Sequence, residues 1–313
     1  MTSDPKFEAE LAAMEAVATA RRASIPPLPE ASLRELLPRN FVDARSGMKA
    51  LRSRSQGSDD FGFDEGKERR YARLLKFLYD EYFRVETSGL EHVPSHGRVL
   101  LVGNHAGALP FDGLMLRHAL QHDTPSPRSL RWLVEDAVFH MPFVGTLVNR
   151  LGAVRACQDN AERLLSEERA VAVFPEGLKG IGKLYRERYR LQRFGRGGFV
   201  KLALRTGTPV LPVAIVGSEE TNPLLFRVEA FARRFGVPFI PVTPTFPLLG
   251  PLGLVPAPTK WRIIVGPPID FGQAAAGATV DELRVAELTE RTRSTIQGML
   301  DDMLSDRRSV FRG

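Results

Sequence analysis

The 313-residue chain is longer than the roughly 100–200 residues of a typical domain, a length that one large α/β core can still reach. With 43% hydrophobic and 26% charged residues it is not a mainly disordered chain, and its one cysteine excludes an internal disulfide framework and favours a reducing compartment. Net charge is +6, which divides into −1 over residues 1–64, from nine Lys or Arg and ten Asp or Glu, and +7 over residues 65–313.

Such a basic balance reads either as solubility or as an anionic partner: phosphate groups, lipid headgroups or nucleic acid. Zinc-finger spacing, an aromatic RNA-binding strand signature and a heptad-linked basic region are all missing, so no nucleic-acid partner is expected. The opening MTSDPKFEAE lacks the basic start and apolar core of a secretory signal, and the expected location is cytoplasmic.

In chain order, Phe7–Arg22 is rich in Ala and Glu and reads as a helix, broken by Pro26, Pro27 and Pro29. Ser32 can cap a second, short helix through Leu37, and residues 44–62 mix Gly, Ser and charge as a mobile linker would. Residues 1–64 are therefore expected to be a helical N-terminal extension with a linker, and 65–313 the catalytic domain. From Asp64 to about Phe83 a stronger helix carries Tyr71, Leu74, Leu75, Leu78, Tyr79 and Tyr82 as an apolar stripe.

Beyond it, near-continuous apolar runs alternate with helical patterns. Arg98–Asn104, Ala170–Phe174, Val210–Val216 and Trp261–Val265 fit strands covered on both faces. Helices are expected at Asp112–Gln121, Asn160–Glu168 and Phe199–Arg205, and a final amphipathic helix at Val280–Leu304 with Leu283, Leu288, Ile296, Met299, Leu300 and Met303 mostly on one face. The fold class that follows is α/β, a mostly parallel central sheet flanked by helices.

In open parallel sheets reactive groups gather at the carboxyl ends of strands. The first apolar run ends in Asn104 and His105, with Asp112 downstream. His105 is either a general base steadied by the Asp112 carboxylate or a hydrogen-bonded structural histidine, and Asp112 is otherwise a helix cap. The second run ends in Phe174, Pro175, Glu176 and Gly177, where Pro and Gly shape a close turn. Glu176 either projects into the same crevice or is a solvated turn residue. Between the two lies Gly152–Arg155, whose arginine suits a phosphate or carboxylate. Lys179 opens a segment to Arg205 with nine basic residues against one acid, either a solvated basic face or an anion-binding surface.

Other chemistries find less support. His118 and His122 stand four apart on an expected helix but lack a third ligand, so no metal site is expected and a solvated helix end is preferred. Cys157 has no histidine near it in sequence and reads as a small core residue. Ser218 is not in a G-x-S-x-G elbow, which disfavours a serine hydrolase.

Taken together and in order, Asn104-His105 with Asp112, Gly152…Arg155, Phe174-Pro175-Glu176-Gly177 and Val210-Leu211-Pro212-Val213 resemble the four motifs of the glycerolipid acyltransferases, the PlsC-type lysophosphatidate and glycerol-phosphate acyltransferases. The resemblance spans roughly residues 65–270. The family's His and Asp usually have four residues between them; here six intervene, AGALPF, as in a divergent branch similar to diacylglycerol or phytyl-ester acyltransferases. The resemblance implies acyl transfer from acyl-CoA or acyl carrier protein to a lipid hydroxyl, with no cofactor. It gives His105 the role of base and Asp112 that of its partner, and it places Asn104, Arg155, Phe174, Pro175, Glu176, Gly177 and Lys179 at the substrates. An alcohol attacking a thioester needs a base that works near neutral pH, and an unperturbed imidazole at ~6.5 suits this.

The uncharged stretch Phe235–Thr259 is long enough to span a bilayer but holds seven prolines, so no transmembrane helix is expected there. That segment and the basic Lys179–Arg205 region are expected to bring the chain to the inner face of a membrane as a peripheral protein on an anionic surface. The apolar stretch Val138–Leu151 either packs in the core or lines an acyl tunnel, and packing is preferred. Alternatives are an acyltransferase for a neutral lipid alcohol such as diacylglycerol, a non-catalytic lipid- or thioester-binding protein, and a soluble thioesterase.

Overall fold

The computed structural model describes residues 58–105, 111–124, 126–140, 144–229, 232, 239–271 and 281–313. The helices expected at Phe7–Arg22 and Ser32–Leu37, and residues 44–57 of the expected linker, lie outside the described residues. Seven strands form the central sheet: β1 (Glu86–Ser88), β2 (Val99–Gly103), β3 (Leu130–Val134), β4 (Ala153–Arg155), β5 (Ala170–Val173), β6 (Val210–Val216) and β9 (Arg262–Val265). Their spatial order is β1-β9-β6-β2-β5-β3-β4. The five strands from β6 to β4 are parallel; β9 runs antiparallel to β6 and parallel to β1. A separate antiparallel pair, β7 (Phe226–Val228) and β8 (Ile240–Val242), belongs to the long excursion between β6 and β9.

Both faces of the sheet's centre are covered, which is why β2, β5 and β6 read as unbroken apolar runs. Alternate residues of β2 serve opposite layers. Leu100 and Val102 pack towards helices α5 (Gln158–Ser166), α7 (Gly198–Thr206) and α8 (Glu282–Ser305), beside Leu164, Val200 and Ile296. Val99 and Leu101 pack on the other side with Met115 and Leu120 of α2 (Phe111–His122) and with Phe83 and Trp261. The short helices α3 (Asp136–His140), α4 (Val144–Arg150) and α6 (Leu178–Ile181) complete the connections. Among the described residues no helix is long and apolar enough to cross a membrane.

The N-terminal helix α1 (Glu65–Phe77) begins where Asp64 accepts the Lys67 N–H at 3.1 Å, and a π turn, Leu78–Tyr82, closes it. Residues 58–64, counted with the N-terminal extension in sequence, are held by the sheet domain. Asp59 pairs with the buried Arg131, and the Phe63 ring lies under the guanidinium groups of Arg117 and Arg131 at 4.8 and 4.5 Å. Strand β3 went unread in sequence because Arg131 interrupts its apolar run; the ion pair to Asp59 lets that charge be buried. In α8 the buried face is Val285, Leu288, Thr292, Ile296, Leu300 and Met303, whereas Leu283 is exposed, one residue inside a helix start capped by Asp281. His118 is not at a solvated end: it is buried against Tyr79, with ring centroids 4.6 Å apart.

Candidate active site

Strand β2 delivers Asn104 and His105 to the carboxyl edge of the sheet. Asn104 is fully buried and bridges to β6: its side-chain N–H donates to the Ile215 carbonyl at 2.9 Å, and its oxygen accepts the Ile215 N–H at 2.7 Å. This side chain splices two parallel strands just past their ladder and fixes where the next residue stands. His105 then faces Asp112 in the first turn of α2, with Nδ1 3.1 Å from Oδ2. A carboxylate only accepts, so Nδ1 donates in this bond, the tautomer that in a neutral imidazole leaves the Nε2 lone pair for a substrate proton. Asp112 is buried, and His105 retains 15% of its side-chain exposure. The Phe174 ring stacks on the imidazole with centroids 5.0 Å apart.

Glu176 works from behind the histidine. Its Oε1 accepts the His105 backbone N–H at 3.0 Å, and its Oε2 accepts the Gln192 N–H at 2.7 Å. Lys183 lies 3.2 Å from Glu176 and 2.8 Å from Glu219, and Glu219 also accepts the Tyr189 N–H. One buried ammonium thus serves two buried carboxylates. Burial works against the Lys183 charge, but Glu219 and Glu176 outweigh it and raise its pKa. Burial pushes Glu219 up to about 7, against the pull of Lys183. The turn that carries these groups requires close approach. A side chain on Gly180 would put its Cβ 2.8 Å from Glu176 Cβ and 3.0 Å from the His105 carbonyl.

His105 opens onto a cavity of about 400 Å³ whose wall is mostly apolar, including Val134, Val138, Phe174, Phe199 and Leu202. That volume falls within the range of small-ligand sites. Pro175 and Gly177 also line it. Three polar features were not read from the sequence. Trp132, in β3, is one of the wall residues, and its indole N–H is buried without a hydrogen-bond partner. Glu135 and Arg196 border the same cavity, the latter in the Gly-rich turn before α7. Cys157 is not a core residue: it is exposed and forms part of the wall. Val138 lines the cavity, while Val148 and Leu151 pack in the core.

The remaining expected substrate residues stand elsewhere. Asn104 and Glu176 are absent from the cavity wall and act on the backbone around His105. Arg155 lies outside this cavity, in a second one of about 460 Å³, where both its Nε and Nη2 donate to the Asp136 carboxylate at 2.5 Å. Lys179 is exposed on α6 and is not part of the wall.

Residues 84–216, which include His105, Asp112 and Glu176, match the family model described as Acyltransferase. The chain belongs to the acyltransferase family. An uncharacterised protein of Mycobacterium leprae is 50% identical over 288 residues, covering 91% of this chain and 77% of that protein. A 1-acyl-sn-glycerol-3-phosphate acyltransferase of Borreliella burgdorferi is 26% identical over 142 residues, covering 42% of this chain and 51% of that one. Among solved structures, the 1-acyl-sn-glycerophosphate acyltransferase PlsC of Thermotoga maritima matches 86% of this chain and 90% of its own at 18% identity, with a TM-score of 0.48. In this family member the matched segment runs through all five parallel strands, so the family assignment and the histidine-bearing sheet edge concern the same residues.

Proposed function

We propose that this acyltransferase-family protein moves a fatty acyl group from a thioester, acyl-CoA or acyl carrier protein, to a hydroxyl of a glycerolipid of the lysophosphatidate kind. The observation that carries the reading is the His105–Asp112 pair at the wall of an apolar cavity. Nε2 of His105 takes the hydroxyl proton as the oxygen attacks the thioester carbon. Asp112 steadies the resulting imidazolium. The thiolate then leaves and recovers that proton, giving an ester and a free thiol with no acyl-enzyme. The reaction takes place at the inner face of a membrane, with the protein bound peripherally.

A second acceptor class, a neutral lipid alcohol such as diacylglycerol, draws support from Arg155, whose guanidinium is already engaged by Asp136. The test is to incubate the protein and its His105→Ala variant with labelled long-chain acyl-CoA or acyl carrier protein and a panel of lipid alcohols. Ester formed by the wild type alone supports acyl transfer, and the acceptor that is esterified decides between the two classes. Absence of ester with both donors would instead make this a binding protein for acyl thioesters, and free fatty acid without acceptor would make it a thioesterase.

A further inference from the structure

The excursion between β6 and β9 presents large apolar side chains to solvent at the same sheet edge as His105. The strand register fixes that placement. Gly103, at the end of β2, pairs with Val213, and Val216, at the end of β6, lies opposite Arg262, where β9 begins. The chain therefore leaves and re-enters the sheet on the side where His105 stands. Helix α1 and its π turn reach β1 at that edge too, since Glu86 is in register with Arg262.

Within the excursion the loop 243–255 is held by its own hydrogen bonds. Thr243 N–H donates to the Phe246 carbonyl at 2.9 Å, Leu249 N–H to the Thr245 carbonyl at 2.8 Å, and the Thr245 hydroxyl to the Gly253 carbonyl at 2.8 Å. Despite that internal order its leucines stand clear of the protein, Leu248 at 85% exposure and Leu252 at 74%. Its neighbours extend the surface. The Tyr82 hydroxyl donates to the Pro256 carbonyl at 2.6 Å, and exposed Phe77, three residues on from exposed Leu74 in α1, has its ring centroid 6.1 Å from that of Tyr82. Leu225 N–H donates to the Val242 carbonyl at 2.8 Å, next to Phe226 at 68% exposure. Single exposed apolar residues are ordinary, but a contiguous set on one edge marks an interaction surface.

We infer that this edge is a docking face for a bilayer leaflet bearing anionic headgroups, with Leu248 and Leu252 entering the lipid. Two features select that occupant. No charged residue occurs from Phe235 to Thr259, so insertion buries no ionised group. Exposed arginines flank the apolar tips of α1, where Arg70 and Arg73 lie four residues before Leu74 and Phe77, while Arg227, between Phe226 and Val228 on β7, points to the other side of that strand. The face also touches the catalytic turn, because a Cβ on Gly182 would meet Arg227 Nη1 at 3.0 Å, and Gly180 two residues earlier abuts His105.

The inference rests on the lipid-acceptor reading for its purpose, yet it can be measured without turnover. Both native tryptophans, Trp132 and Trp261, are buried at 1% and 0% exposure. A Leu248→Trp variant of the full chain therefore carries a single solvent-exposed reporter. Mixing it with phosphatidylcholine vesicles containing phosphatidylglycerol is expected to shift its emission to the blue, and brominated acyl chains are expected to quench it. A Leu248→Asp, Leu252→Asp double variant is expected to keep the wild-type melting temperature and its ester formation on a short-chain, water-soluble acceptor while losing about tenfold or more in vesicle flotation. An emission unchanged by vesicles overturns the docking face, even if acyl transfer is demonstrated. So does a blue shift that tracks protein concentration without lipid, which would assign the face to a second copy. So does loss of folding in the double variant together with a silent reporter, which would place another part of this chain over the loop.

Discussion

His105 Nδ1 lies 3.1 Å from Asp112 Oδ2 although six residues separate the two in the chain. The pair forms because His105 follows strand β2 and Asp112 lies in the first turn of α2, so the placement of these two elements sets the distance. Spacing in sequence is thus a weaker constraint on this pair than the two elements that carry it.

That geometry sets the first expectation. His105→Ala should lower acyl transfer by about 10²–10⁴-fold, the usual contribution of a positioned base. Asp112→Asn should lower kcat with little effect on KM, because it frees the imidazole to adopt the other tautomer without altering the cavity. Both proteins should retain the wild-type circular dichroism and melting behaviour. A full-rate His105→Ala enzyme would remove the histidine from the mechanism.

The sheet and the position of His105 were legible in sequence because β2, β5 and β6 are buried on both faces and leave unbroken apolar runs. Strand β3 was hidden by Arg131, a charge whose partner, Asp59, is distant in sequence. The role of Glu176 was hidden for a related reason. A glutamate at a strand end has a readable position, but its partners are the His105 and Gln192 backbone N–H groups and Lys183, and these meet it only in the fold. Arg155 shows the converse: the right residue type in the right region, but held by Asp136 at the start of α3, a helix not read in the sequence. Trp132 carried no motif at all; it matters because its N–H is buried at a cavity wall without a partner.

Two glycines separate packing from backbone freedom. Gly180→Ala would drive a methyl group to within 2.8 Å of Glu176 Cβ and 3.0 Å of the His105 carbonyl, so the turn must shift. We expect at least a tenfold loss of activity and a lower melting temperature. Gly298, exposed within α8, has nothing within 4 Å of the same position. Gly298→Ala should stabilise the fold by about 0.5–1 kcal/mol, the ordinary helix preference of Ala over Gly, with activity unchanged. Equal effects in the two variants, measured by urea unfolding and ester formation, would contradict this packing.

The single cysteine provides a probe of the cavity. Cys157 is exposed and lies in the same wall as His105 and Phe199. A maleimide should react with it readily, and the bulky adduct should block ester formation. Long-chain acyl-CoA should slow the labelling several-fold if its chain occupies this space. Cys157→Ser should remain active and become insensitive to the reagent. Labelling at one rate with and without acyl-CoA would show that the donor binds elsewhere.

Stability against pH should expose two opposed groups. Burial pushes Glu219 up to about 7 from its usual 4.5, so its neutral form is favoured in the fold; this stability is fully present below 4.5 and is lost as pH rises through 7. Burial pulls His118 down to about 4 from its usual 6.5, with His122 adding to the effect. Its neutral form is also the one favoured in the fold, so its contribution is present above 6.5 and is lost as pH falls towards 4. Between about pH 4.5 and 6.5 the two slopes have opposite signs and the wild type should vary little on their account. Glu219→Gln removes one slope, and its urea midpoint should fall as pH drops through this window. His118→Phe keeps the ring contact with Tyr79 and removes the other slope, so its midpoint should rise over the same interval. Variants whose midpoints run parallel to the wild type at every pH would mean that neither group titrates in this range.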